Sequence, residues 1–466
     1  MKSLRLIGLS LALSVCAFAQ VTHPSSGASN LPSAPAPQVS PQPAGSPMGP
    51  QATVPQPAPG SSTTLSLKDA QALALRNNPQ ISVARLTALA SLQVTREARS
   101  SLWPTAAIEL TAVEANPGTR LTAGALNNPI LYQRAAAGAM VSQLITDFGR
   151  TTNLVSSANL AAEAENQNAL ATKEQILLAV DQAFYNSLQA HAVLTVAQQT
   201  VKERQTVSSQ VDALFQSKLK SQLDLSFANV NLAQAKLLLL DAQNNENAAL
   251  AGLSAVLGFS NLQSFQLVED SAPSVPPPGS VDDLIATAFA MRPEILALEF
   301  QSESAKKFQT AERDLLFPDI RALGVVGDTP VRNPVVSSWY GAVGVNVNIP
   351  VFNGFLYPAR AHEASLRAQA TQEKLRDLRD RISRDVRTSW LNATTAYDRL
   401  AVTQQLLDQA NLALSLAQSR YNLGLGSIVE LSQAQLQQTQ AQITNAQAGY
   451  DYRLSLAVLQ YQTSGI

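Results

Sequence analysis

Two long stretches of the chain contain neither proline nor glycine. Residues 151–214 and 359–420 are interrupted by neither residue over 64 and 62 positions. Because proline and glycine are the residues that interrupt helices most strongly, each stretch predicts one continuous α-helix of roughly 95 Å, at about 1.5 Å per residue. A helix of this length is far longer than an ordinary domain is wide, so the sequence predicts an elongated, mainly α-helical protein.

The two halves of the chain repeat each other. Pro79 and Pro293 stand 214 positions apart in similar surroundings, and residues 215–225 match residues 421–431 at an offset of 206. Landmarks that recur in the same order predict two tandem structural repeats. The predicted organisation is a signal peptide at 1–19, a Pro-rich disordered tether at 20–62, a first repeat at 63–272, a Pro-rich linker at 273–279 and a second repeat at 280–466.

Each repeat is predicted to hold the same elements, namely a short helix, a helix, a strand, a loop, a strand, a very long helix, a tight turn and a helix. In the first repeat we expect strands at 105–115 and 134–147, the long helix at 151–214 and the last helix at 222–257. In the second repeat we expect strands at 319–326 and 339–351, the long helix at 359–420 and the last helix at 428–463.

The N-terminus carries the pattern of an export signal. Lys2 and Arg5 precede a short apolar run, and Ala17-Phe18-Ala19 supplies the small-x-small cleavage site. A retained membrane helix is the less favoured alternative, because the apolar run is too short to span a bilayer. Cys16, the single cysteine, follows a segment that resembles a lipobox, so its lipidation stays open as a second alternative.

Charge and motifs argue against nucleic-acid binding and catalysis. The formal net charge is −1, which gives no electrostatic reason to expect a nucleic-acid partner. The chain has three histidines, and His362-Glu363 lacks a second histidine at metal-ligand spacing. We therefore expect no enzyme activity, no cofactor and no metal site.

One strand has an apolar face and a small or polar face. Residues 341–354 read GAVGVNVNIPVFNG, in which β-branched residues occupy every second position. Strands of about nine to eleven residues suffice to cross a bilayer as part of a tilted barrel. We expect the apolar face to contact lipid, through Val343, Val345, Val347, Ile349 and Val351.

Four predicted strands are too few to close a barrel, since the smallest membrane barrels have about eight. An open sheet edge in lipid leaves backbone groups unpaired, at several kcal/mol each. The sequence therefore predicts that several chains share one barrel. The alternative is a soluble hairpin that caps a coiled coil, but that arrangement leaves the apolar face uncovered.

The duplicated plan resembles the TolC-type outer membrane efflux proteins. The supporting segments are Asn77-Asn78-Pro79, Ile349–Gly354, Tyr421–Gly424 and Ser427–Leu431, and the resemblance covers residues 63–463. It implies a homotrimer whose 12-stranded β-barrel, with four strands per chain, lies in outer-membrane lipid and continues as a long periplasmic α-helical barrel. The implied partners are a periplasmic adaptor protein and an inner-membrane transporter of the RND or ABC type.

The resemblance also implies roles at the two helical turns. Tyr421 stands at the tyrosine of the family's closed entrance, and Glu430 stands at an aspartate that lines the constriction. The second acidic position of the family is Gln433 here, and its arginine position is Gly426. Asp224 is the repeat-equivalent of Glu430. The alternative for both acids is a solvated side chain near a helix N-terminus. For adaptor contact the candidates are Lys218, Lys220, Gly424, Leu425 and Gly426.

These features favour a passive outer-membrane channel for drug or small-molecule efflux. Type I protein secretion uses the same architecture and stays open, as does the nature of the cargo, organic or metallic. A periplasmic coiled-coil scaffold or adhesin without a pore is the alternative of a different class.

Overall fold

The computed structural model describes residues 63–113, 122–123, 126–127, 134–263, 265–269, 275–277, 279–328 and 338–463. The predicted signal peptide, the tether, Cys16, the last two residues of the strand predicted at 105–115 and part of the linker lie outside these ranges. The elements are β1 (Thr63–Leu65), α1 (Leu67–Asn77), α2 (Pro79–Ser100), β2 (Thr105–Val113), β3 (Thr122–Ala123), β4 (Leu126–Asn127), β5 (Arg134–Thr146), α3 (Arg150–Gln216), α4 (Gln222–Val256), β6 (Phe265–Leu267), α5 (Val281–Met291), α6 (Pro293–Arg313), a 3₁₀ turn (Asp314–Leu316), β7 (Asp319–Asp328), β8 (Trp339–Asn348), α7 (Leu356–Asn422) and α8 (Ile428–Thr463).

The two long helices, α3 and α7, each contain 67 residues. Both extend slightly beyond the predicted bounds of 151–214 and 359–420. Helix α7 begins at Leu356, before Pro358, because the missing N–H of a proline is tolerated in the first helical turn. Each long helix follows a residue in the left-handed region, Gly149 with φ 107° and Phe355 with φ 65°.

Matching caps start the short helices of the two repeats. The side chains of Ser66 and Ser280, 214 positions apart, accept hydrogen bonds from the amides three residues later and so cap α1 and α5. Pro79 and Pro293 then open α2 and α6, the position at which proline is best tolerated. The same local chemistry therefore sets the same helix boundaries in both halves.

The helices pack side by side in a fixed lateral order. In the half nearer the long strands the order is α2, α3, α6 and α7, and in the other half it is α4, α3, α8 and α7. In the half nearer the long strands, a hydrogen bond from Thr95 to Ala158 joins α2 to α3, and one from Ser157 to Ser304 joins α3 to α6. Helices α2, α4 and α7 are thus at the lateral edges of one chain. None of the described helices is long and apolar enough to cross a bilayer.

Two apolar cores occupy equivalent places in the repeats. One lies between α1, α3, α4 and the parallel pair of β1 and β6, and consists of Leu65, Ala70, Ala74, Ile176, Val180, Phe184, Leu188, Leu253 and Leu257. The other lies between α5, α6 and α7, and consists of Ile285, Ala288, Ile295, Ile382 and Val386. Both cores contain small alanine side chains, Ala70 and Ala74 in the first and Ala288 in the second, which let helix backbones approach each other closely.

The long strands form one antiparallel sheet in the order β2, β5, β7, β8. Within the described part of the chain, β2 and β8 each pair on one side only. The predicted extension of the last strand to residue 351 is wrong, because β8 ends at Asn348 and Pro350 has no N–H to donate to a ladder. Ile349 and Val351 therefore lie beyond the strand. Strand β7 runs two residues past the predicted end at 326.

Candidate functional site

The turns that join α3 to α4 and α7 to α8 have the same backbone geometry. Lys218 and Gly424 occupy equivalent positions and both adopt the left-handed conformation, with φ 59° and 74°. In each turn, the amide of the next residue donates to a carbonyl five positions earlier, at 2.9 and 2.8 Å. Glycine adopts this conformation without a steric cost, whereas lysine does not. Only one of the two turns therefore has the residue that suits this conformation best, Gly424.

Each turn ends in a serine cap with an acid three residues later. Ser221 and Asp224 form a reciprocal capping box, in which the Asp224 amide donates to Ser221 Oγ at 3.2 Å and the Ser221 amide donates to Asp224 Oδ2 at 3.0 Å. In the second turn the Glu430 amide donates to Ser427 Oγ at 3.1 Å. Both acids thus lie in the first turn of a helix, where the helix dipole favours a negative charge.

Asp224 is ionised more readily than an ordinary aspartate. Partial burial opposes its ionisation, but the hydrogen bonds from Ser221 and the nearby charge of Lys220 outweigh burial, so the pKa of Asp224 is lowered. The carboxylate is therefore negative throughout the physiological pH range. Its charge is stabilised by Ser221 and Lys220 of the same turn.

Tyr421 connects the two helical hairpins, α3–α4 and α7–α8, whose turns form their tips. Its side chain is 5 % exposed, and the ammonium of Lys220 in the other turn lies 3.8 Å from the centroid of its ring. Burial and the charge of Asp224 raise the pKa of the Tyr421 phenol. Its hydroxyl is buried without a hydrogen-bond partner among the described residues. The ring packs in an apolar cluster with Val211, Ala228, Ala417, Ile428, Leu431 and Ala434.

Glu430 is paired within its own chain. Arg420 Nε lies 3.0 Å from Glu430 Oε1, and Arg420 Nη2 also donates to the Leu425 carbonyl at 3.2 Å. The arginine and glutamate side chains are 55 % and 44 % exposed, so water screens the pair. Sequence reasoning missed Arg420, which precedes Tyr421 directly and reaches Glu430 only because the turn folds back. One positive charge therefore accompanies the acid at this position.

Gly426 makes room for this ion pair. A Cβ atom at residue 426 would lie 3.2 Å from Arg420 Cβ and 3.2 Å from Glu430 Oε2, closer than side chains normally approach. The remaining candidates, Lys218, Leu425 and Gln433, are exposed to solvent. The tips thus combine a buried tyrosine, one capped acid, one paired acid and exposed lysine and leucine side chains.

The four-stranded sheet is the second candidate site, and its two faces differ. Residues that are direct partners across antiparallel strands share a face. One face therefore contains the row Ile108–Ala139–Val326–Gly341 and the row Ala106–Val141–Gly324–Val343. Its apolar side chains are largely exposed, Val343 at 93 % and Ile108 at 79 %.

The other face of the sheet is mixed in character. It carries Glu109, Ser142, Arg321, Asp319 and Asn346, and the Asn348 amide donates to Asp319 Oδ2 at 3.0 Å. Apolar residues such as Met140 and Leu323 lie between these polar groups. Of the five residues predicted to contact lipid, Val343, Val345 and Val347 belong to the strand, on the apolar face.

The fold and the two sites agree with a comparison of the sequence to known families. The family described as "Outer membrane efflux protein" matches residues 70–259 and 284–462. The chain belongs to the outer membrane efflux protein family, as the resemblance to TolC-type proteins predicts. Each matched segment falls within one of the two predicted repeats.

Two proteins with similar sequences are named for different cargoes. The chain is 25 % identical over 302 residues to the cation efflux system protein CusC of Escherichia coli K12, covering 62 % of this chain and 64 % of CusC. It is 27 % identical over 328 residues to the pyoverdine export outer membrane protein OpmQ of Pseudomonas putida KT2440, covering 67 % of this chain and 68 % of OpmQ. The alignment therefore spans somewhat less than two thirds of CusC.

Solved structures share the fold. A crystal structure of CusC superposes with a TM-score of 0.76 at 19 % identity and covers 89 % of this chain and 96 % of that chain. The outer membrane protein VceC of Vibrio cholerae superposes with a TM-score of 0.73 at 17 % identity, over 86 % and 96 % of the two chains. The predicted fold class, mainly α with a small set of strands and an internal repeat, is confirmed.

Proposed function

We propose that this protein is a passive trimeric channel of the outer membrane, which exports small molecules delivered by a periplasmic adaptor and an inner-membrane pump. The observation that carries the proposal is the open four-stranded sheet with one exposed apolar face. The channel does no chemistry of its own; energy comes from the pump, which is of the RND or ABC type in this proposal.

The free sheet edges support a shared barrel. Strands β2 and β8 each lack a partner on one side within the described residues. Unpaired backbone groups in lipid cost several kcal/mol each, and closed membrane barrels need about eight strands or more. Four strands from each of three copies close one barrel when β8 of one copy pairs with β2 of the next. The apolar face then contacts lipid and the mixed face lines the lumen.

The free helix edges support the same symmetry. Helices α2 and α4 lie on the side of β2, and α7 lies on the side of β8. Joining copies through the sheet thus brings α7 of one copy beside α2 and α4 of the next. Apolar side chains exposed in a single chain are available to cover this junction: Leu391, Val402, Leu406, Leu412 and Leu416 on α7, Val83, Leu86, Leu89 and Val94 on α2, and Val230, Leu237 and Leu240 on α4.

The hairpin tips form the periplasmic entrance in this proposal. Three copies bring Asp224 and Glu430 around one axis, and acidic rings favour cations. Because Arg420 pairs with Glu430, that ring is close to neutral. The exposed tip residues Lys218 and Leu425 offer the adaptor a basic and apolar surface, together with Lys220, Gly424 and Gly426. Gln433 adds no charge to the entrance.

The cargo is a small molecule or ion in this proposal. CusC is named for cation efflux and OpmQ for pyoverdine export, so proteins similar to this chain serve unlike small substrates. Type I secretion of proteins is the second candidate, and it shares the architecture.

A matched pair of variants in β8 tests the lipid-facing assignment. A charged residue facing lipid near the midplane costs about 2–4 kcal/mol, whereas a lumen-facing one is tolerated. Val343→Lys should therefore reduce insertion into planar bilayers and trimer yield, while Asn346→Lys should insert normally and change single-channel conductance. Equal insertion of both variants contradicts the assignment of the faces.

The wild-type protein distinguishes the channel from a scaffold. In detergent the channel should purify as a trimer and give discrete conductance steps in a planar bilayer. A water-soluble, non-conducting rod would support the periplasmic scaffold or adhesin instead.

A further inference from the structure

A cavity of about 300 Å³ lies where α3, α4 and α8 meet within one chain. On α3 its lining begins some 12 residues before the helix ends, roughly 18 Å from the turn at about 1.5 Å per residue. The polar part of its lining consists of Thr200, Arg204, Asn231, Gln234, Ser432, Gln435, Thr439 and Gln440. Arg204 is the one charged residue in the described lining, and no acid is present there.

Arg204 is a buried cation held by neutral acceptors. The residue is 5 % exposed. Its Nη2 donates to the Gln435 carbonyl at 2.9 Å and to Thr439 Oγ1 at 3.0 Å. A guanidinium has five N–H donors in a planar fork, so these two bonds leave Nε and Nη1 without an acceptor among the described residues. Nε and Nη1 lie on opposite edges of the guanidinium, so each is free to donate to an acceptor such as one oxygen of an anion.

No described carboxylate forms an ion pair with Arg204. Arg204 forms no ion pair within the described ranges, and the neighbouring Glu203 accepts a hydrogen bond from Gln199 at 3.0 Å instead. Burial lowers the pKa of Arg204, and the charge of Glu203 acts in the opposite direction. An arginine nevertheless remains protonated in proteins, so its charge stays in the wall of the cavity. A buried charge without a partner is costly, and a counter-ion removes that cost.

A second polar group in the same wall also lacks a partner. Gln435 is 3 % exposed, and its side-chain amide makes no hydrogen bond to any residue that the structure describes. Its N–H₂ group is a donor, as are the free N–H groups of Arg204. Two residues with donors that have no acceptor among the described residues therefore border one cavity.

We propose that this cavity binds a small oxyanion, with a carboxylate, sulfate or phosphate group held by Arg204 and Gln435. A free N–H group of the guanidinium and the side-chain amide of Gln435 donate to oxygens of the same group. The bound anion links α3 to α8 and so holds the two hairpins together above their tips. This inference concerns one chain and is independent of whether the protein conducts.

Calorimetric titration of the purified full-length protein with inorganic phosphate, at constant ionic strength, tests the site. Wild type should bind one phosphate per chain in a saturable manner. Arg204→Gln should weaken that binding at least tenfold, and Arg204→Lys, which keeps the charge but loses the planar set of donors, should weaken it less. The matched control is Arg96→Gln, since Arg96 is an exposed arginine that donates to the neutral Gln93 at 3.1 Å. Binding to this control should equal binding to wild type.

Two results would overturn the proposal. One is the absence of saturable phosphate, sulfate and acetate binding to wild type, or binding that Arg204→Gln leaves unchanged. The other comes from crystals of the full protein grown in selenate. The proposal expects an anomalous peak beside Arg204, whereas a carboxylate of a neighbouring copy in that position would show that the charge is neutralised by assembly instead.

Discussion

The Arg420–Glu430 pair allows the charge of the hairpin tips to be changed in both directions. Two unit charges 3.0 Å apart attract by roughly 1.4 kcal/mol in water, and exposed ion pairs are worth about 0.2–1 kcal/mol after screening. A cation that passes Glu430 is repelled by Arg420 with an energy of the same order. Removing that repulsion changes the occupancy of a cation near Glu430 by a factor of about 1.4 to about 5.

Reversal potentials in a potassium chloride gradient across a planar bilayer measure this change. Arg420→Gln should raise the cation-to-anion permeability ratio within that range, because Glu430 is left unpaired. Glu430→Gln should lower the ratio, since Arg420 then remains as a lone cation. The double variant should return close to wild type, as a neutral pair replaces a neutral pair.

The order of the permeability ratios among the three variants shows whether Glu430 faces the ion path. If Arg420→Gln inserts and conducts normally but leaves the ratio unchanged or lowers it, Glu430 does not face the ion path. An equal ratio in all three variants would remove both residues from the selectivity of the channel.

Two further predictions concern stability. Gly424→Ala should lower the free energy of unfolding by about 1 kcal/mol and Lys218→Gly should raise it by a similar amount, because both positions are left-handed; chemical denaturation checks the opposite signs, and equal signs contradict the account. Burial raises the pKa of Asp181 to about 6, against a weaker opposing effect of its hydrogen bond from Gln71. The folded protein thus binds more protons than the unfolded chain, so stability should fall as the pH rises from about 4 to about 6. Asp181→Asn should remove this decline in thermal unfolding, and an unchanged pH profile would show that Asp181 does not cause it.

The long helices follow directly from the sequence, because continuous absence of proline and glycine leaves α3 and α7 with no internal stop. The capped starts of α1 and α5 follow from Ser66 and Ser280 in the same way. Exact ends are harder to predict. Helix α7 includes Pro358 in its first turn, and β8 stops before Pro350 although the alternation of Val343 to Val351 continues past it.

The site was predicted less completely than the fold. The family resemblance points to Tyr421 and Glu430, and the repeat adds Asp224; the structure places all three at the tips. Arg420 was missed because it lies in helix α7 before the turn, ten positions from the acid with which it pairs. Arg204 was missed because nothing in the local pattern of α3 distinguishes a buried arginine from a solvated one. Contacts between distant segments of chain decide both cases.

The central claim is that β2 and β8 are edges which neighbouring copies cover, and cysteine cross-linking tests it directly. Cys16 is the only natural cysteine and lies in the predicted signal peptide, so engineered pairs should be free of background. Ala107→Cys in β2 is combined with cysteine at Ala342, Gly344 or Asn346 of β8, all on the mixed face of the sheet. Combination with Val343→Cys, on the opposite face, is the control.

For at least one of the three positions, oxidation should give bands of one, two and three linked chains and nothing larger, while the Val343 control should remain a single chain. Single chains at every position would contradict the shared barrel, and a ladder that continues beyond three chains would show an open assembly in place of a closed trimer.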